Sequence, residues 1–279
     1  NQYDAYMDRA DWDIAAKTFN VKNHEEGKLS PMISVNKAQD SLHFDAASSK
    51  FSLLNSVLEV YGVEQIKVAD ARIEPDSGRV TIDTAANMRL LDKSVLVANR
   101  FTRHFNLYDC SLKIQSRNRY SGNGILEYVD QDETPWPLYF HTLGVNRDLE
   151  TVGSADVKPE DEFYMSPFFG FQGKVEMLAS AKYLTFNGKT NIQSSCANIS
   201  TTWFPFRSPI DPNNIVIDLP KFGEDKAAER LFNGIFIAND STSAYSAFLS
   251  RASKRADIEI IRADGQLLYD EDLFSYVIA

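Results

Sequence analysis

Three copies of one strand-and-bend pattern between Ile66 and Ile114 constrain the fold more than any other feature of the chain. They read Ile66-Lys-Val68-Ala-Asp70-Ala-Arg-Ile73, Met88-Arg-Leu90-Leu-Asp92-Lys-Ser-Val95 and Phe105-Asn-Leu107-Tyr-Asp109-Cys-Ser-Leu112. Each has apolar residues four and two before an Asp, and another three after it. The alternation before Asp is the period of a strand with one buried face. The odd step across Asp needs a bend or bulge if the next apolar side chain is to meet the same core. Asp suits that place, because its carboxylate can accept from a nearby backbone N–H. The aspartates recur after 22 and then 17 residues, close to one turn of a stacked β-solenoid. An antiparallel meander gives nearly the same period when two strands make one repeat. Stacked layers would put Ile73, Val95 and Leu112 in one buried row.

The flanks read less sharply. Asp4 to Lys17 is charged, with Tyr6, Met7, Trp12 and Ile14 as its larger apolar groups, at a spacing that allows a short helix. Asp76-Ser77-Gly78 marks a turn before the strand pattern Val80-Thr81-Ile82. Gln131 to Pro137 (QDETPWP) reads as an insert, since Pro135 and Pro137 cannot join central strands. A second β region runs from Leu138 to about Ile192, punctuated by Gly170, Gly173 and Gly188 as turns or bulges. Asp225 to Asn233 places Ala227, Ala228, Leu231 and Phe232 on one helical face before Gly234. Ala263-Asp264-Gly265 reads as a hairpin turn. Phe274, Tyr276 and Ile278 alternate to the end, as if the natural protein continued beyond Ala279.

Composition supports β structure: 18 Phe and 12 Tyr in 279 residues suit half-buried pleated surfaces. A net charge of −10 repels polyanions, which makes nucleic acid and anionic membrane poor partners. Cys110 and Cys196 are too few for a disulfide framework and are expected as buried thiols. No apolar run approaches the ~20 residues of a membrane-spanning helix. The start at Asn1, without a signal peptide, reads as a processed or excised segment.

Tests for catalytic motifs fail. Gly188-Lys189-Thr190 ends like a phosphate loop, but Tyr183 stands where its first Gly belongs. No GxSxG occurs, and Ser121-Gly122-Asn123-Gly124 reads as a hairpin loop. His24, His43, His104 and His141 lack metal-ligand spacing. Asp130, Asp132 and Glu133 offer carboxylates without the spacing of a calcium loop. No catalytic residue, metal ligand or cofactor is therefore nominated. Trp136 with Tyr139, and Trp203 with Phe206, are the candidate binding residues, since flat rings near prolines could pack on sugar faces.

The Asp-bend repeats, Gln115 to Asp130 (QSRNRYSGNGILEYVD) and Ile210-Asp-Pro-Asn-Asn214 resemble stretches of very long, uncharacterised envelope proteins of Gram-negative bacteria. The rhythm around Gly173-Lys-Val175 and Phe186-Asn-Gly188 is similar to OstA-like lipopolysaccharide-transport domains. The resemblance covers residues 41–219 and implies an extracytoplasmic structural or binding role in the periplasm, at the outer membrane or outside the cell. It supplies no catalytic residue.

The expected architecture is thus all-β, either a β-solenoid (β-helix-like) or meandering strand repeats, with one short C-terminal helix. Residues 1–40 would be a helical or loop lead-in, 41–219 the repeat domain, and 220–279 a helix and hairpin extension. The expected function is a non-enzymatic module of a larger extracytoplasmic protein, binding a glycan or an envelope protein. The alternative is a β-helix polysaccharide lyase or glycoside hydrolase.

Overall fold

The computed structural model describes residues 3–194, 202–219, 231–239, 243–250 and 257–279, and the regular elements among them are β-strands and single 3₁₀ turns. The largest sheet has fourteen strands. Its order is Tyr3–Ala5, Ser30–Ser34, His43–Ala46, Ile66–Val68, Ala71–Glu74, Leu91–Ala98, Phe105–Ser116, Arg119–Val129, Pro135–Val145, Thr151–Val157, Phe169–Leu178, Thr185–Ile192 and Phe204–Pro209. Tyr164–Ser166 pairs beside Phe169–Leu178. From Ile66 onward the order follows the chain, and its described pairings are antiparallel. The repeat is a meander, and the solenoid expectation is corrected. Tight turns at 69–70 and 117–118 reverse the chain at once, whereas stacked parallel coils need long returns.

The repeat aspartates mark a turn and two bulges. Asp70 lies in the hairpin turn between Ile66–Val68 and Ala71–Glu74. Around Asp92 and Asp109 the pairing slips between Leu91/Ser94 and Tyr108/Ser111, with Lys93 and Asp109 at φ 52° and 48°. The extra residue restores the phase, so Leu107 and Cys110 are both buried. One register row then crosses seven strands as Met32, Phe44, Ile66, Ile73, Leu96, Leu107 and Leu126, all buried. Val95 lies off this row: it pairs with Glu74 and is half-buried, while Leu96 takes the core place. A step of one residue exchanges the two faces of a strand.

A second, five-stranded sheet has the order Val80–Ile82, Val57–Tyr61, Ser48–Ser52, Thr18–Lys22 and Arg9–Asp13. Residues 3–40 thus hold four strands and one 3₁₀ turn, and the helix expected over Asp4 to Lys17 does not form. Arg9, Asp11 and Asp13 alternate with Ala10 and Trp12, and this period of two outweighs the sparse helical spacing.

Contacts divide the chain into two compact units: Asn1–Glu127, Pro137–Ala155 and Met177–Lys182 form one, and Tyr128–Trp136, Asp156–Glu176 and Tyr183–Ala279 the other. In the second unit the rings of Tyr128, Phe163, Phe171 and Phe186 lie 5.0–6.3 Å apart as a buried cluster. Gly173 and Gly188 pair beneath it in mid-strand rather than at turns. A Cβ on Gly188 would stand 2.2 Å from the Gln172 carbonyl oxygen, so this close approach requires glycine. Ser121-Gly122-Asn123-Gly124 is likewise mid-strand and not a loop.

Two three-stranded sheets complete this unit. One is Ile217–Asp218, Gln266–Asp270 and Ser275–Ile278, and the other is Ala244–Ser250, Phe232–Ile237 and Ile258–Arg262. Ala263-Asp264-Gly265 therefore links two sheets and closes no hairpin. The expected helix over 225–233 falls largely outside the described residues, and its last two, Phe232 and Asn233, open a strand. Cys196 also lies outside them.

Candidate functional site

The aromatic residues singled out from sequence occupy separate environments. Trp136 is half-buried: its indole N–H donates to Asp130 Oδ2 at 3.2 Å, and its ring meets Phe163 and Tyr164 edge-on or tilted. Asp130 is itself buried, and its Oδ1 accepts from the backbone N–H groups of Asp132 and Thr134. Both carboxylate oxygens thus pin the 130–136 loop. Tyr139 is 55% exposed, and strand alternation turns it to the face opposite Trp136. Trp203 is half-buried near Gly170. Phe206 is 8% exposed and packs edge-on against Phe171 with 5.7 Å between centroids. The structure does not assemble these four into one platform.

It assembles a different aromatic set in the first unit. The register of the five-stranded sheet aligns Trp12, Phe19, Phe51, Leu58 and Ile82 across all its strands. Exposure along the row is 65% at Trp12, 37% at Phe19, 7% at Leu58 and 0% at Ile82. Ala10, Val21, Ser49, Val60 and Val80 form the next row on the same face. At the Ile82 end this face is core, and at the Trp12 end it is open.

A cleft of about 610 Å³ lies under the open end, lined by Tyr3, Tyr6 and Met32 on one side and Phe19, Val21 and Phe51 on the other. Met32 comes from the core row of the fourteen-stranded sheet, so the cleft is the unfilled end of the space between the sheets. Tyr3 fixes its inner wall, donating from its hydroxyl to Gln39 Oε1 at 3.1 Å and tilting against Phe44. Burial pushes the Tyr3 hydroxyl up to about 12, with a smaller opposing effect from its hydrogen bond with Ser34.

Two sheet edges meet solvent at this cleft. Tyr3–Ala5 is an end strand of the large sheet and Arg9–Asp13 an end strand of the small one. All five residues of Arg9–Asp13 are exposed. Asp4 lines the cleft, and Asp8 accepts from the His24 backbone N–H at 2.6 Å. The segment carrying Trp12 was visible in the sequence as apolar groups in a charged stretch. Its strand period would have located the face, but the cleft depends on pairing with residues 18–58, which no local pattern reveals.

Such a site offers apolar contact and unpaired backbone groups. Among the described residues, no three His, Cys, Asp or Glu side chains gather as metal ligands. Cys110 is buried, and burial pushes its thiol up to about 12, away from the reactive thiolate. No helix among the described residues is long and apolar enough to cross a membrane.

Fold and cleft together define an all-β protein of antiparallel sheets with an open apolar cleft in the first unit. No protein-family model, no curated protein and no solved structure matches the chain.

Proposed function

We propose that this chain is a non-enzymatic binding module of a larger extracytoplasmic protein, and that its ligand docks at the cleft bordered by Trp12 and Phe19. The graded row from Ile82 to Trp12 carries this reading, because a core row is left uncovered at one end. Covering a Phe side chain contributes roughly 1.5–3 kcal/mol, and large rigid rings dominate binding surfaces. The extracytoplasmic setting rests on the resemblance to Gram-negative envelope proteins and fits the acidic balance.

In a stacked β-helix the repeat aspartates Asp70, Asp92 and Asp109 would line up as a row able to hold a polyuronate. Here the carboxylates of two of them are held by neighbours. Asp70 Oδ1 accepts from the Thr151 N–H and hydroxyl at 3.0 and 2.6 Å, and Asp92 Oδ1 accepts from the Ser111 hydroxyl at 2.7 Å. Nothing in this arrangement favours cleavage over binding.

Titration with the neutral, environment-sensitive dye N-phenyl-1-naphthylamine tests the site. The wild-type chain is expected to bind it, and Phe19→Ser or Phe51→Ser to weaken binding about fivefold or more. Tyr139→Ala and Trp203→Ala are expected to leave it unchanged. A loss confined to these last two variants would move the site away from the cleft.

A further inference from the structure

We propose that the natural occupant of the cleft is an extended peptide segment of a partner protein, alternately apolar and basic, which adds a sixth strand to the Arg9–Asp13 edge. This rests on the cleft being the binding site proposed above and names what fills it.

The first support is the edge itself. An end strand turns every second N–H and C=O away from its sheet, where another chain can take them. Proteins commonly blunt such edges with proline. Phe204–Pro209, the other end strand of the fourteen-stranded sheet, does so with Pro205 and Pro209. Arg9–Asp13 has no proline, pairs in unbroken register with Thr18–Lys22 on one side, and is exposed at every residue. It is a competent template.

The second support is that the two faces of this edge specify the added strand. Ala10 and Trp12 point to the cleft face, and Arg9, Asp11 and Asp13 to the other. A sixth strand must present apolar side chains beside Ala10 and Trp12, over the mouth of the cleft. On its opposite face it meets carboxylates. Arg9 is already engaged by Asp11 at 3.2 Å, and Lys22 stands beside Arg9 in the register. Asp13 Oδ1 accepts from the Ala16 N–H at 2.8 Å. Along the edge strand itself, Asp11 and Asp13 outnumber Arg9 on this face. An alternating apolar and lysine-bearing strand satisfies both faces at once. A second copy paired antiparallel about Asp11 would set that carboxylate against itself, although Arg9 would then face Asp13.

Calorimetric titration of the full chain with an acetylated, amidated peptide of four Lys-Val repeats tests this. Binding tighter than about 100 μM is expected, weakened at least tenfold when the lysines become glutamates or when Asp11→Asn and Asp13→Asn are combined. Two backbone N-methylated peptides supply the decisive readout, one methylated at the valines and one at the lysines. Only one set of N–H groups faces the edge, so one peptide should lose binding and the other keep it. Equal behaviour of the two, or no binding of the parent peptide, overturns the proposal. If the peptide fails while the naphthylamine dye still binds through Phe19 and Phe51, the cleft stands and the peptide falls. If both fail, the site falls too. Sedimentation of the protein alone supplies the last arm: dimers abolished by Asp11→Lys or Trp12→Lys would make a second copy the occupant and overturn the partner peptide.

Discussion

Two groups of aromatic side chains in this molecule began with similar sequence surroundings and met opposite fates. Phe19 and Phe51 stand opposite each other on neighbouring strands, and so do Trp12 and Phe19. Phe171, Phe186 and Phe206 also come from neighbouring strands. The second group closes on itself because Gly173 and Gly188 remove side chains from the pleat between Phe171 and Phe186, letting the rings meet at 5.0 Å. Tyr128 and Phe163 then roof them, with the Tyr128 hydroxyl donating to the Met165 carbonyl at 2.8 Å. The first group has no roof at its Trp12 end. Ring content therefore does not distinguish a core from a site, whereas the presence of a covering layer does.

The contrast breaks most directly by truncation. Phe186→Ala is expected to cost about 3–5 kcal/mol in urea unfolding, because surrounding rings cannot collapse into the cavity. Phe19→Ala is expected to cost under about 1 kcal/mol, since its neighbour Trp12 is largely in water already. Comparable losses at the two positions would mean that the cleft is closed in solution and that Phe19 belongs to the core.

A smaller effect separates the two tryptophans. Trp136 is tied to Asp130, and Asp130→Ala is expected to destabilise by about 2–3 kcal/mol, leaving two backbone N–H groups and an indole N–H without their acceptor. Asp130→Asn should cost less, since an amide oxygen can still accept from the loop backbone. Trp12→Ala should leave the urea midpoint nearly unchanged. A marked loss of stability at Trp12 would give it the anchoring role here assigned to Trp136.

How far the sequence disclosed this depended on whether the information was local. Alternation and the Asp steps showed β structure, and the odd step across Asp109 does mark a bulge. Which residue follows the bulge into the core was not local: Leu91, Ser94, Leu96, Val97 and Ala98 are buried, and only pairing with Ile73 and Leu107 selects Leu96 for the long row. Glycine misled for the same reason. Gly122, Gly124, Gly173 and Gly188 resemble turn signals, yet each permits a close approach within a strand. Pro135 and Pro137 read as an insert because proline lacks a donor, and they are tolerated at the start of Pro135–Val145. The candidate cleft needed two facing sheets, and one sequence held only its exposed margin, Tyr6 and the strand carrying Ala10 and Trp12.

The smallest expected effect concerns Cys110, a buried polar group with no part in either aromatic set. Its sulfur sits opposite Gly124, where an added Cβ would come within 2.4 Å of Sγ. Burial chiefly, and the charge of Asp109 secondarily, hold the thiol at about 12, while a hydrogen bond with the Leu96 backbone acts the other way. The ordinary value of 9.0 applies once the chain unfolds. Because the folded value is the higher one, the stabilising contribution is complete below about pH 9 and is lost as pH rises towards 12. On the order of 1 kcal/mol should be gone by pH 10. Tyr3, also raised to about 12 but from 10.0, has lost only about 0.4 kcal/mol of its own contribution by pH 10. Thermal melts at pH 8 and pH 10 should therefore show a larger drop for wild type than for Cys110→Ala, with Tyr3→Phe staying closer to wild type between these values. In a Cys196→Ser background, maleimide labelling of Cys110 at pH 8 should be slow until denaturant is added. Rapid labelling of the folded chain would show that the Leu91–Ala98 and Phe105–Ser116 strands open readily at their bulges, and the pH effect would vanish with that burial.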